Sequence, residues 1–94
     1  MMGSIHIRRN HNLGKAEARK AVEDIGRQLK QRLQVEYHWN GDRLEFSRTG
    51  AEGRIDVTDS AVTIDIELGL MLSAFKGPVE SQVHAYLDES LGKE

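Results

Sequence analysis

From Val35 to Leu68 the chain alternates apolar and polar residues in four runs: Val35, Tyr37, Trp39; Leu44, Phe46; Ile55, Val57; and Val62, Ile64, Ile66, Leu68. The parity flips at each break, as an antiparallel meander requires if one face is to stay apolar. The intervening segments carry turn chemistry. Asn40-Gly41-Asp42 separates the first two runs, and Asn-Gly is a strong hairpin signal because both residues tolerate positive φ. A loop at Asn40-Gly41 sets Tyr37 opposite Leu44 and Val35 opposite Phe46. A loop at Gly41-Asp42 sets Trp39 opposite Leu44, so the register stays open between the two. Thr49-Gly50-Ala51-Glu52-Gly53 supplies the next turn and places Phe46 opposite Ile55. Asp59-Ser60 closes the third hairpin, with Val57 facing Val62 and Ile55 facing Ile64.

The alternate positions of this sheet are almost wholly polar: Glu36, His38, Arg43, Glu45, Ser47, Arg54, Asp56, Thr63, Asp65 and Glu67. Arg54 is expected opposite Asp65, an opposite-charge pair of the kind that adds to sheet stability. No aromatic ring interrupts this face, which argues for solvation and against base stacking on RNA.

Two helices are predicted to cover the apolar side. Between Gly14 and Leu33, the residues Ala18, Val22, Ile25, Leu29 and Leu33 recur at threes and fours, one helical stripe. Asn12 or Gly14 can cap its start, Glu17 suits the first turn, and Glu23 to Arg27 forms an i,i+4 pair. Gly26 marks a place of close packing. The second helix is expected to open at Gly77-Pro78, with Pro78 first. Val79, Val83, Tyr86, Leu87 and Leu91 then form its buried stripe, and Glu80, His84 and Asp88 lie opposite. Ser4-Ile5-His6-Ile7-Arg8 reads as a further strand that closes, antiparallel, onto the Val62–Leu68 strand. The expected fold is α+β, two layers in the order β-α-β-β-β-β-α, with a mainly antiparallel sheet and both helices on one face.

The 94 residues suit a single domain, 1–94, and the net charge of −2 gives no overall drive toward nucleic acid. The chain has no cysteine, so disulfides and thiol chemistry are excluded. Neither a signal-peptide core nor a run long enough to span a bilayer is present, and the cytoplasm is the expected location.

Candidate chemistry is sparse. His6, His11, His38 and His84 lie on different elements with no zinc-ligand spacing, so neither a metal nor a cofactor is expected. His84 reads as part of a solvated helix face. Glu45 and Asp56 are candidates to face each other across strands, but on an open face beside Arg43 and Arg54, a poor setting for acid–base catalysis. Arg8 and Arg9, with His11, form a basic cluster suited to an anion or an acidic partner, or else a solvated strand end. Arg48 continues the inward parity of Leu44 and Phe46, so it either snorkels past the rim or lines the mouth of a cavity. Leu70-Met71-Leu72-Ser73-Ala74-Phe75 is strongly apolar where a connector is normally polar. It is either buried as a short helical turn or left partly exposed as a patch or pocket gate, with Leu70, Met71, Leu72 and Phe75 as the contact residues.

Ile5-His6-Ile7-Arg8, His11-Asn12-Leu13-Gly14, Glu17-Ala18-Arg19, Trp39-Asn40-Gly41-Asp42 and Leu68-Gly69-Leu70 followed by Lys76-Gly77-Pro78 resemble the polyhydroxyalkanoic acid system family. The match runs in order along nearly the whole chain, and none of these motifs is catalytic. The resemblance implies a bacterial cytoplasm and the polyhydroxyalkanoate storage granule as context. More loosely, a sheet followed by a Leu-Gly connector and a long C-terminal helix is similar to helix-grip, START-like domains.

These features together suggest a non-enzymatic module that binds an apolar granule surface, an acyl-type ligand or a granule protein. Two alternatives stand beside it. One is a small acyl-substrate enzyme with Arg48 and a histidine in a pocket between helix and sheet. The other is a structural homo-oligomer joined through the connector or a sheet edge.

Overall fold

The computed structural model describes residues 3–91. Five strands, β1 (Gly3–Asn10), β2 (Glu36–Asn40), β3 (Arg43–Arg48), β4 (Ala51–Val57) and β5 (Ala61–Leu68), form one sheet in the order β1-β5-β4-β3-β2. Every neighbouring pair is antiparallel, including β1 against β5. Helices α1 (Gly14–Leu33) and α2 (Lys76–Leu91) pack on the apolar face and on each other. The α+β architecture is the one that the alternation and the two helical stripes imply.

The strand registers align the inward residues in rows across the sheet. Ile7, Ile64, Ile55, Leu44 and Trp39 form one row; Ile5, Ile66, Gly53, Phe46 and Tyr37 form the next. A third row, Gly3, Leu68, Ala51 and Arg48, lies nearer the connector to α2. The middle rows meet Val22, Ile25 and Leu29 of α1 and Val83 and Leu87 of α2 in one buried cluster. Gly26 permits the close approach of α1, since a Cβ there would lie 2.9 Å from Leu44 Cδ2.

The first hairpin takes one of the two open registers and the second differs from expectation, and glycine explains both. The first hairpin turns at Gly41-Asp42, so Trp39 pairs with Leu44 and Tyr37 with Phe46. Only Gly41 takes positive φ (63°) while Asn40 stays extended in β2, so the turn uses glycine at its first position. The second hairpin turns at Thr49-Gly50, with Gly50 at φ 86°, and residues 51–53 join β4. Leu44 therefore faces Ile55, and Phe46 faces Gly53 rather than Ile55. The Phe46 ring occupies the space above Gly53, where a Cβ would lie 2.4 Å from Phe46 Cζ. The third hairpin keeps the expected pairs, Val57 with Val62 and Ile55 with Ile64.

Helix ends also depart in detail. No side chain caps α1; instead the Leu13 N–H donates to His11 Nδ1 at 3.2 Å. A short 3-10 turn, Ser73–Phe75, leads into α2, which begins at Lys76. Pro78 thus sits within the first turn, where its missing N–H leaves no intrahelical bond unmade.

Polar side chains lock α1 to the first hairpin. Glu23 accepts hydrogen bonds from the Tyr37 hydroxyl (2.6 Å) and Trp39 Nε1 (2.8 Å), and Arg27 Nε lies 3.3 Å from the same carboxylate. Arg19 lies over the Trp39 ring, 4.2 Å from its centroid, and donates to the Gly41 carbonyl (2.6 Å) and Asp42 (2.9 Å). Hydrogen bonds from Tyr37 and then Trp39 hold the Glu23 carboxyl below its ordinary pKa of 4.5, against the opposing effect of burial.

Two predictions follow from these contacts. Ile64 is 1% exposed at the centre of the rows. Ile64→Ala is expected to destabilise by about 2–5 kcal/mol in chemical denaturation, through lost burial and a cavity; a change below roughly 0.5 kcal/mol, the surface scale, would contradict the register. For Glu23 the folded pKa is depressed, so its contribution is complete above pH 4.5 and is lost as pH falls through the lower folded value. Urea titrations at pH 6 and pH 3 should therefore show a smaller acid loss of stability in Glu23→Gln than in the parent. Equal losses would mean that the carboxylate bonds to Tyr37 and Trp39 add nothing.

Candidate functional site

An apolar cleft of about 390 Å³ opens where the sheet, the end of α1 and the start of α2 diverge. Its floor is Phe46, Ala51, Ile66 and Leu68 on the sheet. Leu29, Leu33 and Val35 form the α1 side, and Leu72, Phe75, Pro78, Val79 and Tyr86 the connector and α2 side. Among the described residues that line it, the charged ones are Arg32 and Arg48, and Gln82 and Tyr86 add polar groups. The volume falls near the low end of the ~300–1,000 Å³ typical of small-molecule sites.

Local structure explains the opening. Helix α1 stops at Leu33, and Gln34 takes a left-handed conformation (φ 58°) that turns the chain into Val35. The row of the sheet at this end is sparsely filled, with the small Ala51 between Leu68 and Arg48. The connector is held at a distance from α1 by its own bonds. Gly69 N–H donates to Gly50 O at 2.7 Å, Leu72 N–H to Gly69 O at 3.0 Å, and Phe75 N–H to Leu72 O at 2.9 Å. Ser73 Oγ adds a bond to Leu70 O at 2.9 Å. Leu72 rests against Gly50, where a Cβ would lie 3.2 Å from Leu72 Cδ1.

Arg48 stands at the end of β3 on the helix-facing side, as parity implies. Its Nη1 donates to the Leu33 carbonyl at 2.8 Å and its Nε to Thr49 O at 3.3 Å. The first of these bonds satisfies one of the free carbonyls at the α1 C-terminus. Arg32, in the last turn of α1, makes no hydrogen bond or ion pair among the described residues.

Of the residues singled out in the sequence, the structure brings Arg48, Leu72 and Phe75 together around the cleft. Leu70 and Met71 do not line it; they are 69% and 89% exposed on the connector beside it, and Phe75 at the mouth is 54% exposed. The connector therefore takes the partly exposed form. Arg32, Ala51, Gln82 and Tyr86 are cleft residues that carried no signal of their own. Arg48 was recoverable as an inward strand position, whereas Ala51 was read as part of a turn, and the gap between helices left no signal.

The basic cluster does not form. Arg8 faces the open side of the sheet, opposite Thr63. Arg9 faces the helices, where its Nη1 donates to Asp88 at 2.9 Å and its Nη2 lies 3.3 Å from His84 Nδ1. His11 is buried, with Nε2 donating to Thr58 O at 3.1 Å and Nδ1 accepting from Leu13 N–H. Both ring nitrogens are thus engaged within the chain, and alternation sends the two arginines to opposite faces. The His84 and Asp88 side of α2 is correspondingly tied to β1 rather than wholly solvated.

On the open face, Glu45 and Asp56 do not pair with each other. Glu45 faces Arg54 and Asp56 faces Arg43, with Arg43 Nε 2.7 Å from Asp56. His38 Nε2 lies 3.0 Å from Glu45, and His6 bonds Asp65. Arg54 also faces Asp65, as expected. These are exposed cross-strand pairs, which contribute little and form no enclosed acid–base site. Among the described residues no cluster of three potential metal ligands occurs, and no helix is long and apolar enough to cross a membrane. Among the described residues no histidine, serine or carboxylate lines the cleft beside Arg48.

Most of the motifs shared with the resembling family fall on the scaffold, while Leu68 and Pro78 from the last two also line the cleft. Arg19 grips Trp39, Gly41 and Asp42; His11 locks the turn before α1; Gly69 bonds Gly50. No curated protein and no solved structure matches the chain. Residues 5–91 match the model of the family described as "Putative polyhydroxyalkanoic acid system protein". The chain belongs to that family, whose description associates it with polyhydroxyalkanoate systems.

Proposed function

We propose that the chain is a non-enzymatic binding module of a polyhydroxyalkanoate system, holding an acyl chain in the cleft between α1, α2 and the sheet. The observation that carries this reading is the cleft itself: about 390 Å³, walled by aliphatic and aromatic side chains, in a domain with few residues to fill it. An apolar chain placed there would leave water for a surface of matching polarity. The described lining holds neither a Ser, Cys or Thr nucleophile nor a histidine or carboxylate base, which favours binding over turnover of such a ligand. A cleft between a sheet and a C-terminal helix is also what the loose likeness to helix-grip domains implies. Leu70, Met71 and Phe75 give the mouth an exposed apolar rim, suited to contact with the surface of a storage granule in the bacterial cytoplasm.

Ala51 offers the sharpest test, because it lines the cleft and is only half-buried. Ala51→Phe is expected to fill the cleft and weaken binding of a dansyl-labelled fatty acid by at least about tenfold, roughly 1.4 kcal/mol. Its denaturation midpoint should stay close to that of the parent. Unchanged affinity in this variant would place the acyl chain elsewhere. Failure of the parent to bind, together with a dimer in sedimentation, would favour the structural homo-oligomer instead.

A further inference from the structure

We infer that the cleft selects an alkyl carboxylate, with the acid group held by Arg48 and Arg32 and the alkyl chain directed over Phe46 and Leu68. This inference rests on the reading of the cleft as an acyl site and names the chemistry of its ligand. A neutral polyester segment or an alkane would need apolar walls alone, yet two guanidiniums stand in the lining and no carboxylate accompanies them among the described residues. The sheet beneath shows the contrast: Arg43 there is ion-paired with Asp56. Arg9, the other arginine on the helix-facing side, is ion-paired with Asp88.

Arg48 is held in place without being used up. A guanidinium carries five N–H groups. Arg48 directs its Nε–H to Thr49 O and one Nη1–H to Leu33 O, which leaves three for a ligand while fixing the side chain at the rim. Arg32 has no partner among the described residues and lies in the same lining. A planar carboxylate suits such donors, since guanidinium–carboxylate bonds are charge-assisted and often paired. The bond to Leu33 also explains why Arg48 is useful to the fold as a cap on α1. Arg32 makes no such bond, though its charge suits the C-terminal end of the α1 dipole. Its guanidinium in the cleft, without a partner among the described residues, is the stronger pointer to a ligand. Two sources share this chemistry: a free fatty or hydroxy acid, and the carboxyl end of a polyester chain.

Calorimetric titration of the full chain with decanoate and with methyl decanoate tests the inference. The acid is expected to bind at least about tenfold more tightly than the ester, the scale of one hydrogen bond to a charged group. Arg32→Gln and Arg48→Lys should reduce that preference, read as the ratio of acid to ester affinity within each variant. Arg32→Gln removes no bond of the described fold, so a preference unchanged in Arg32→Gln and in Arg48→Lys overturns the inference. Equal affinities for acid and ester in the parent overturn the carboxylate anchor but leave the acyl cleft standing. Absence of binding by either compound overturns both. Short oligo(3-hydroxyalkanoates) with free or methylated carboxyl ends separate the two sources: a strong preference for the free end supports the polymer terminus, and binding of decanoate alone supports the free acid.

Discussion

The left-handed conformation of Gly50 sets more of this molecule than any other single constraint. With φ at 86°, it lets β3 return as β4 through two residues, which fixes Phe46 against Gly53 and Leu44 against Ile55. The same residue accepts the Gly69 N–H and supports Leu72, so the end of β5 and the connector to α2 are positioned from one turn. A side chain at Gly50 would be strained there and would press on Leu72. Sheet register and cleft geometry are therefore one problem with one solution.

Core and cleft divide the helix-facing side of the sheet by side-chain size. The row Ile7, Ile64, Ile55, Leu44 and Trp39 is filled, and α1 descends onto it closely enough that Gly26 must lack a Cβ. One end of the sheet instead offers the small Ala51 between Leu68 and Arg48, and there the layers separate. The helix terminus adds its own electrostatics, with free carbonyls that Arg48 meets and a local dipole that favours cations. Arginine at this rim thus has a structural reason and a chemical opportunity together. The residues that carry the family likeness, such as Arg19, Trp39, Gly41 and His11, hold the hairpin and the turn before α1, and so preserve the frame around the cleft.

Much of the fold was legible because strand alternation and helix periodicity are properties of single positions. Val57, Ile55, Ile64 and Val62 declared both their face and their pairing, and the stripe from Ala18 to Leu33 declared its helix within its observed bounds. At the second hairpin, a tighter turn at Thr49-Gly50 moved Phe46 from Ile55 to Gly53. The register at the first hairpin was not fixed by pattern, because either turn at Asn40-Gly41-Asp42 keeps apolar residues opposed. The choice depended on which residue took positive φ and on Arg19 gripping Gly41 and Asp42, a tertiary contact. The same limit applies to the site. Arg48 and the apolar connector stood out by breaking their local rules, whereas Arg32, Gln82 and Tyr86 looked like ordinary helix residues. A basic cluster of Arg8, Arg9 and His11 was a proximity in sequence that alternation and burial dispersed.

The central claim is that the space between α1, α2 and the end of the sheet receives an acyl chain. Methyl-resolved NMR of the labelled protein during titration with decanoate reads this directly. The account predicts shift changes at Leu29, Leu33, Ile66, Leu68, Leu72 and Val79, with Ile7, Val22 and Ile64 in the filled part of the core unmoved. Shifts absent from the cleft methyls, or confined to the exposed Leu70 and Met71, would contradict it.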